Sequence, residues 1–228
     1  LVPGRRFQRR KDGALNKDSQ DSIYRLGAAA FSSMMSHFET YERSLFAGVV
    51  DATRFMPDFK IEDCGKRLSQ DSQLSLDVNR LFAYRGRAAP IGQLIADSLG
   101  SWHNPLRVNG HFRAIVPDFQ FLGGAESEEL IILWQLRHSI VHTGNWLTHA
   151  DAQKVRTLVK VGDRPILLNE NFVEAVARRL HGIVGRSTEA LGKKVLAKVS
   201  GAAAGDEKAL KVLFEVSSPR KSWHKTAV

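Results

Sequence analysis

The chain has 228 residues, 43% hydrophobic and 25% charged, which is enough for one large domain with short appendages. No apolar run approaches the roughly 18 residues of a membrane span, which argues against a membrane-embedded protein. A formal charge of +9 favours a polyanionic partner, with nucleic acid first, and the single cysteine, Cys64, excludes an intrachain disulfide. The first residues lack the apolar core of a secretion signal, so a cytoplasmic location is expected.

The opening "LVPGRRFQRRKDG" carries four arginines and a lysine without apolar periodicity, and residues 1–18 read as a basic arm. From Ser19 to Val50, residues such as Ile23, Leu26, Ala30, Phe31, Met34, Phe38, Tyr41 and Leu45 recur at three- and four-residue steps, predicting a long amphipathic helix. A breaker region, "RFMPDFKIEDCG", precedes a weaker helical segment at 66–84 and a helix beginning at Pro90. The stretch 101–124 reads as a long loop; its aromatics, Trp102, Phe112 and Phe121, either stack on bases or tuck onto the core, and core packing is the favoured of the two.

A buried helix follows, with Ser127 as its expected cap, Glu128 and Glu129 in its first turn and Gly144 as its stop. Thr148 and Asp151 suggest a short capped turn, and "VRTLVKV" and "PILLN" around "GDR" suggest a β-hairpin. A long helix over 171–199 completes the expected core at residue 200. Residues 201–228 read as a linker, a short amphipathic helix and a basic tail. The fold class is thus all-α, a mainly helical bundle with a small β-hairpin before the last long helix.

The chemistry concentrates in "LRHSIVHTGN", residues 136–145. At about 100° per residue, Gln135, His138, Ser139 and His142 share one polar sector, while Arg137 points roughly 140° from His142, between Leu133 and Val141. A guanidinium in an apolar zone needs a carboxylate or an external anion such as phosphate. Three readings follow. Arg137 pairs with a core carboxylate and the histidines donate to backbone carbonyls; or His138 and His142, at i and i+4, chelate a metal in a metal-dependent hydrolase, without the glutamate of an HExxH site. In the third, Arg137 holds phosphate charge while His142 moves protons near neutral pH.

"RHSIVH" resembles the Arg-x4-His signature of HEPN-domain ribonucleases, helical proteins of microbial toxin and defence systems. His138 sits where the family carries a polar residue, and "ESEELIILWQL" and "TGN" match the context of its motif helix. No other Arg-x4-His pair occurs in the chain. The resemblance spans about residues 19–200 in architecture and about 20 residues in detail.

It implies a HEPN-like bundle and a metal-independent endoribonuclease, with catalytic Arg137 and His142 and no cofactor. Arg137 would stabilise the charge that develops on the scissile phosphate. His142 would act as base or acid while the ribose 2′-OH attacks, leaving a 2′,3′-cyclic phosphate. His138, Gln135, Ser139 and Asn145 would support the site or bind substrate, and Thr143 could line the same cleft. The partners implied are RNA, a second copy docked through the motif-helix cleft, and an antitoxin or other defence-system protein. Some family members keep the fold without activity, so the alternative is a non-catalytic helical module that binds RNA or a partner protein.

Overall fold

The structure, a computed structural model, describes residues 10–70, 74–76 and 91–216. The opening of the basic arm, most of the helix expected at 66–84, its successor's start at Pro90 and the basic tail from 217 lie outside the described residues. The fold is mainly helical: eight α-helices and one two-stranded antiparallel ladder are found among the described residues. None of those helices is long and apolar enough to cross a membrane.

The first helix, α1 (Lys17–Ala52), is opened by Asn16, whose side chain accepts from the Ser19 N–H at 2.8 Å. Its buried stripe runs Ala28, Phe31, Met35, Phe38, Glu42, Leu45, Val49 and Ala52, alternating steps of three and four. Glu42 occupies an apolar place in that stripe: it is 1% exposed, one carboxylate oxygen has no hydrogen-bond partner, and burial pushes its pKa well above the ordinary range. A 3-10 turn (Thr53–Phe55) leads to α2 (Ile61–Gln70), and α3 (Ile91–Ser98) follows.

The expected loop at 101–124 contains a helix, α4 (Pro105–Ile115). Asn104 caps it, accepting from Leu106 and Arg107 N–H, and Pro105 occupies a first-turn position where a missing N–H costs nothing. Trp102, Phe112 and Phe121 are core residues, as the favoured reading expected.

Next comes α5 (Gly124–His142). It begins three residues before the expected cap, because the Glu126 carboxylate reaches back to the Gly123 N–H at 2.9 Å, half of a capping box. Ser127 therefore lies inside the helix, with its hydroxyl buried and unpartnered. The far end stops where expected: Gly144 and Asn145 both adopt positive φ, +62° and +68°, and the Asn145 N–H returns to the Ile140 carbonyl at 3.3 Å.

The hairpin is present but is formed by other residues. Strand β1 (Trp146–Leu147) pairs antiparallel with β2 (Arg164–Pro165), Trp146 opposite Pro165 and Leu147 opposite Arg164. Between them lie the short α6 (His149–Gln153), capped as expected by Thr148, and a 3-10 helix (Arg156–Val161) in place of the expected first strand. Val155 and Leu158, three residues apart, are buried, which is the period of a 3-10 turn rather than of a strand. Two helices complete the chain, α7 (Glu170–Leu196), whose glycines leave it continuous, and α8 (Ala204–Leu213).

The described residues form two compact units whose boundaries fall inside α1, α5 and α7. The first takes residues from Leu1–Phe38 and Glu128–Leu180. In it Phe31 meets Phe172 edge to face at 5.8 Å, and α1 approaches the backbone at Leu168 so closely that a Cβ on Gly27 would lie 2.2 Å from the Leu168 carbonyl oxygen. The second takes residues from Glu39–Ser127 and His181–Val228. Its centre is aromatic: Phe112 stacks on Phe121 at 4.0 Å, and Phe46 meets Trp102 and Phe112 edge-on at 5.5 and 5.7 Å.

Candidate functional site

All the residues singled out in 135–145 belong to the first unit, on the C-terminal half of α5 and the turn after it. The helix is less deeply buried than its apolar composition suggests. Leu130, Trp134, Gln135 and Ser139 are buried, whereas Ile131, Ile132, Leu133, Leu136 and Ile140 are half-buried and Val141 is exposed. The polar sector supplies part of the buried face.

That inversion is stabilised by a carboxylate from α6. Gln135 Nε2 donates to Ser139 Oγ at 3.4 Å, and Ser139 Oγ donates to Asp151 Oδ2 at 3.3 Å. The other carboxylate oxygen of Asp151 receives Lys154 Nζ at 2.7 Å and lies 3.9 Å from His138 Nε2. The Lys154 ammonium is the main reason the Asp151 pKa falls below its usual value, with the Thr148 hydroxyl and His138 acting in the same direction against burial. Asp151 is thereby held as a buried anion under the polar sector. Sequence reasoning placed it only in a capped turn; a Thr-x-x-Asp step encodes the turn, and the contact with Ser139, twelve residues away, is tertiary.

His138 and His142 stack loosely at the water-facing edge of this network, their ring centroids 4.6 Å apart and tilted by 40°. His138 has 47% of its side chain exposed, and His142 is exposed. No group of three His, Cys, Asp or Glu side chains among the described residues is placed to hold a metal ion.

Arg137 stands apart from the network, as helical geometry requires of a residue five positions from His142. It is half-buried, and its Nε is shielded from water without a hydrogen-bond partner. No carboxylate among the described residues pairs with it, so the internal ion pair is not formed there. Arg67, in the second unit, gives a contrast: its Nε donates to the Ala114 carbonyl at 3.0 Å. An unsatisfied buried donor costs about 1–3 kcal/mol, more when charged.

Thr143 and Asn145 hold the end of the helix. Thr143 Oγ1 donates to the Ser139 carbonyl at 2.6 Å and also contacts the Trp146 carbonyl, closing the end of the helix. Asn145 contributes backbone: its carbonyl accepts from Ile166 N–H at 2.7 Å and ties the helix stop to the strand β2 region.

Chemically, the arrangement offers one guanidinium that pairs with no described carboxylate and two water-exposed imidazoles, one of them backed by a buried carboxylate, within six residues of one helix. No family model, curated protein or solved structure matches the chain.

Proposed function

We propose that this chain is a metal-independent endoribonuclease that works as a homodimer, with Arg137 and His142 as its catalytic residues. The observation that carries the reading is the state of Arg137: a half-buried guanidinium whose Nε has neither water nor a protein acceptor, five residues before an exposed histidine. With no described carboxylate paired to it, the arginine's charge is left for an external oxyanion to meet through its terminal nitrogens.

In the mechanism, Arg137 binds the non-bridging oxygens of the scissile phosphate and stabilises the charge that accumulates as the bond breaks. His142 takes the proton from the ribose 2′-OH, whose oxygen attacks phosphorus. The 5′-oxygen of the next nucleotide leaves as the P–O bond breaks and receives the proton that His142 has taken up, giving a 2′,3′-cyclic phosphate and a free 5′-OH. The His138 ring borders His142 on the same helix, and Asp151 of α6 lies beside His138, hydrogen-bonded by Ser139, which Gln135 in turn contacts.

Dimerisation resolves the divergence of the two side chains. Arg137 and His142 leave the helix roughly 140° apart, and a two-fold axis along α5 can bring the arginine of one copy toward the histidine of the other. The half-buried Ile131, Ile132, Leu133, Leu136 and Ile140, with Val141 at 52% exposure, supply apolar surface for such a contact. The net charge of +9 suits RNA, and the resemblance to the HEPN family adds a toxin, defence or stress setting in which an antitoxin or another defence-system protein would restrain the activity.

The test is incubation of the purified protein with mixed cellular RNA in EDTA. Cleavage should persist in chelator, leave cyclic-phosphate ends and fall by about 100-fold or more in both Arg137→Ala and His142→Ala, with thermal melts showing that the variants fold. RNA retained without cleavage would instead make the chain a binding module. Loss of cleavage on chelation with rescue by zinc would move the chemistry to a metal centre at His138 and His142.

A further inference from the structure

Trp146 is a large apolar side chain left 42% exposed, and it sits four residues after His142. Its backbone is fixed from several directions. The Trp146 N–H donates to the Thr143 carbonyl at 3.3 Å, its carbonyl meets the Thr143 hydroxyl, and it pairs across the ladder with Pro165, itself exposed. The indole is fixed as well: Nε1–H donates to Asp163 Oδ1 at 3.1 Å.

Those contacts use the polar edge of the ring. What remains for the solvent is π surface, held rigidly at the end of the helix that carries His142. An aromatic face with its one donor already occupied cannot read a ligand by hydrogen bonding, but it can stack on any flat conjugated ring. The charges on the connection that follows it in the chain favour the kind of ligand that joins such a ring to phosphate. Between Trp146 and Pro165 the chain carries Lys154, Arg156, Lys160 and Arg164, all exposed, against two carboxylates, Asp151 and Asp163. Both carboxylates are engaged, by Lys154 and by the Trp146 indole.

The geometry points to Trp146 as a stacking subsite for a nucleobase of single-stranded RNA, next to the nucleotide whose 2′-OH His142 deprotonates. This rests on the ribonuclease reading for the position of that nucleotide, and it specifies the substrate: an unpaired nucleotide, whose base is free to stack, rather than a duplex. Because the indole N–H is taken by Asp163, the subsite should accept all four bases with little preference.

The experiment uses the full chain and two uncleavable probes, a fluorescent 2′-O-methyl uridine pentamer and a sugar-phosphate pentamer of the same length without bases. The wild type should bind the base-bearing probe more tightly. Trp146→Ala should weaken that binding roughly 5- to 100-fold and leave the abasic probe unaffected, while Trp146→Phe, which keeps an aromatic face, should restore most of the difference. Analytical ultracentrifugation of the variants separates this from a role in self-association. Equal binding of both probes by the wild type, equal losses for both in Trp146→Ala, or a weakened dimer with unchanged probe binding would each overturn the subsite. Trp146-dependent base binding in a protein that cleaves no RNA would uphold the subsite and remove the ribonuclease reading. Full cleavage with unchanged KM in Trp146→Ala would do the reverse.

Discussion

His111 lies in the second unit with no exposed surface, its ring 4.8 Å from that of Trp102 and 6.2 Å from that of Phe46, whereas His138 and His142 stand at the water-facing end of α5 in the first. Burial pushes the His111 pKa down to about 4, opposed only in part by the hydrogen bond of Nε2 to the Gly100 carbonyl at 3.1 Å. It is a neutral, apolar member of an aromatic core. The same residue type on α5 is exposed to solvent, and His138 stands beside the Asp151 carboxylate. Arginine divides in the same way, with Arg67 satisfied by the Ala114 carbonyl and Arg137 left with an unsatisfied donor. Residues of one type thus meet different surroundings in the two units, and exposure to water separates the core histidine from the pair on α5.

Substitutions that exchange these two kinds of behaviour sharpen the contrast. The largest effect is expected at the aromatic centre, where Phe112→Ala removes a fully buried ring that stacks on Phe121 and meets Phe46. It should cost about 3–5 kcal/mol, read as a lowered urea midpoint.

His111 comes next, and its effect depends on pH. In the folded protein it stays neutral down to about pH 4, while in the unfolded chain it takes up a proton near its ordinary value of 6.5. Between those values the unfolded state binds more protons, so stability falls as pH is lowered through that window. Relative to His111→Gln, the wild type should lose about 2–3 kcal/mol between pH 7 and pH 4.5 in urea titrations. A wild type and variant with parallel pH dependence would place His111 outside the apolar core.

The smallest stability effect belongs to Arg137. Because no described carboxylate depends on it, Arg137→Met should leave stability within about 1 kcal/mol of wild type, shifted upward if at all, while abolishing cleavage. A large destabilisation would mean that the guanidinium serves the fold, and the contrast with Arg67 would collapse.

Much of the fold was legible where one periodicity ran long enough. The stripe along α1 gave its length to within a few residues, and Gly144 gave the end of α5 because positive φ has a residue signature. The hairpin shows why the rest was not. Its strands are two residues each, too short to express alternation, and one of them is Arg164–Pro165, which carries no strand propensity. Val155, Val159 and Val161 drew the strand to the wrong place, because β-branched content is local while the burial of Val155 and Leu158 that selects a 3-10 turn is set by packing. Two prolines concealed α4, although Asn104 followed by Pro105 is itself a helix start.

The polar sector of α5 was readable from helical spacing, and the structure joins Gln135 to Ser139 and His138 to His142. The buried anion beneath them was not readable, since Asp151 reaches Ser139 only after α6 has folded back. Neither was Trp146 as an exposed ring, because nothing in a sequence distinguishes a tryptophan that will be covered from one that will not.

The stop at Gly144 and Asn145 also fixes a phase. With His142 as the last helical residue and the chain leaving, one residue later, through two left-handed conformations at Gly144 and Asn145, the end of the helix is pinned. One residue added between Arg137 and His142 would swing the imidazole by about 100° around the axis and lift it about 1.5 Å, whereas one added at the tip of the turn at Asp163 would leave both side chains where they are. Under the ribonuclease proposal, the four positions 138–141 form a spacer whose count matters as much as its composition.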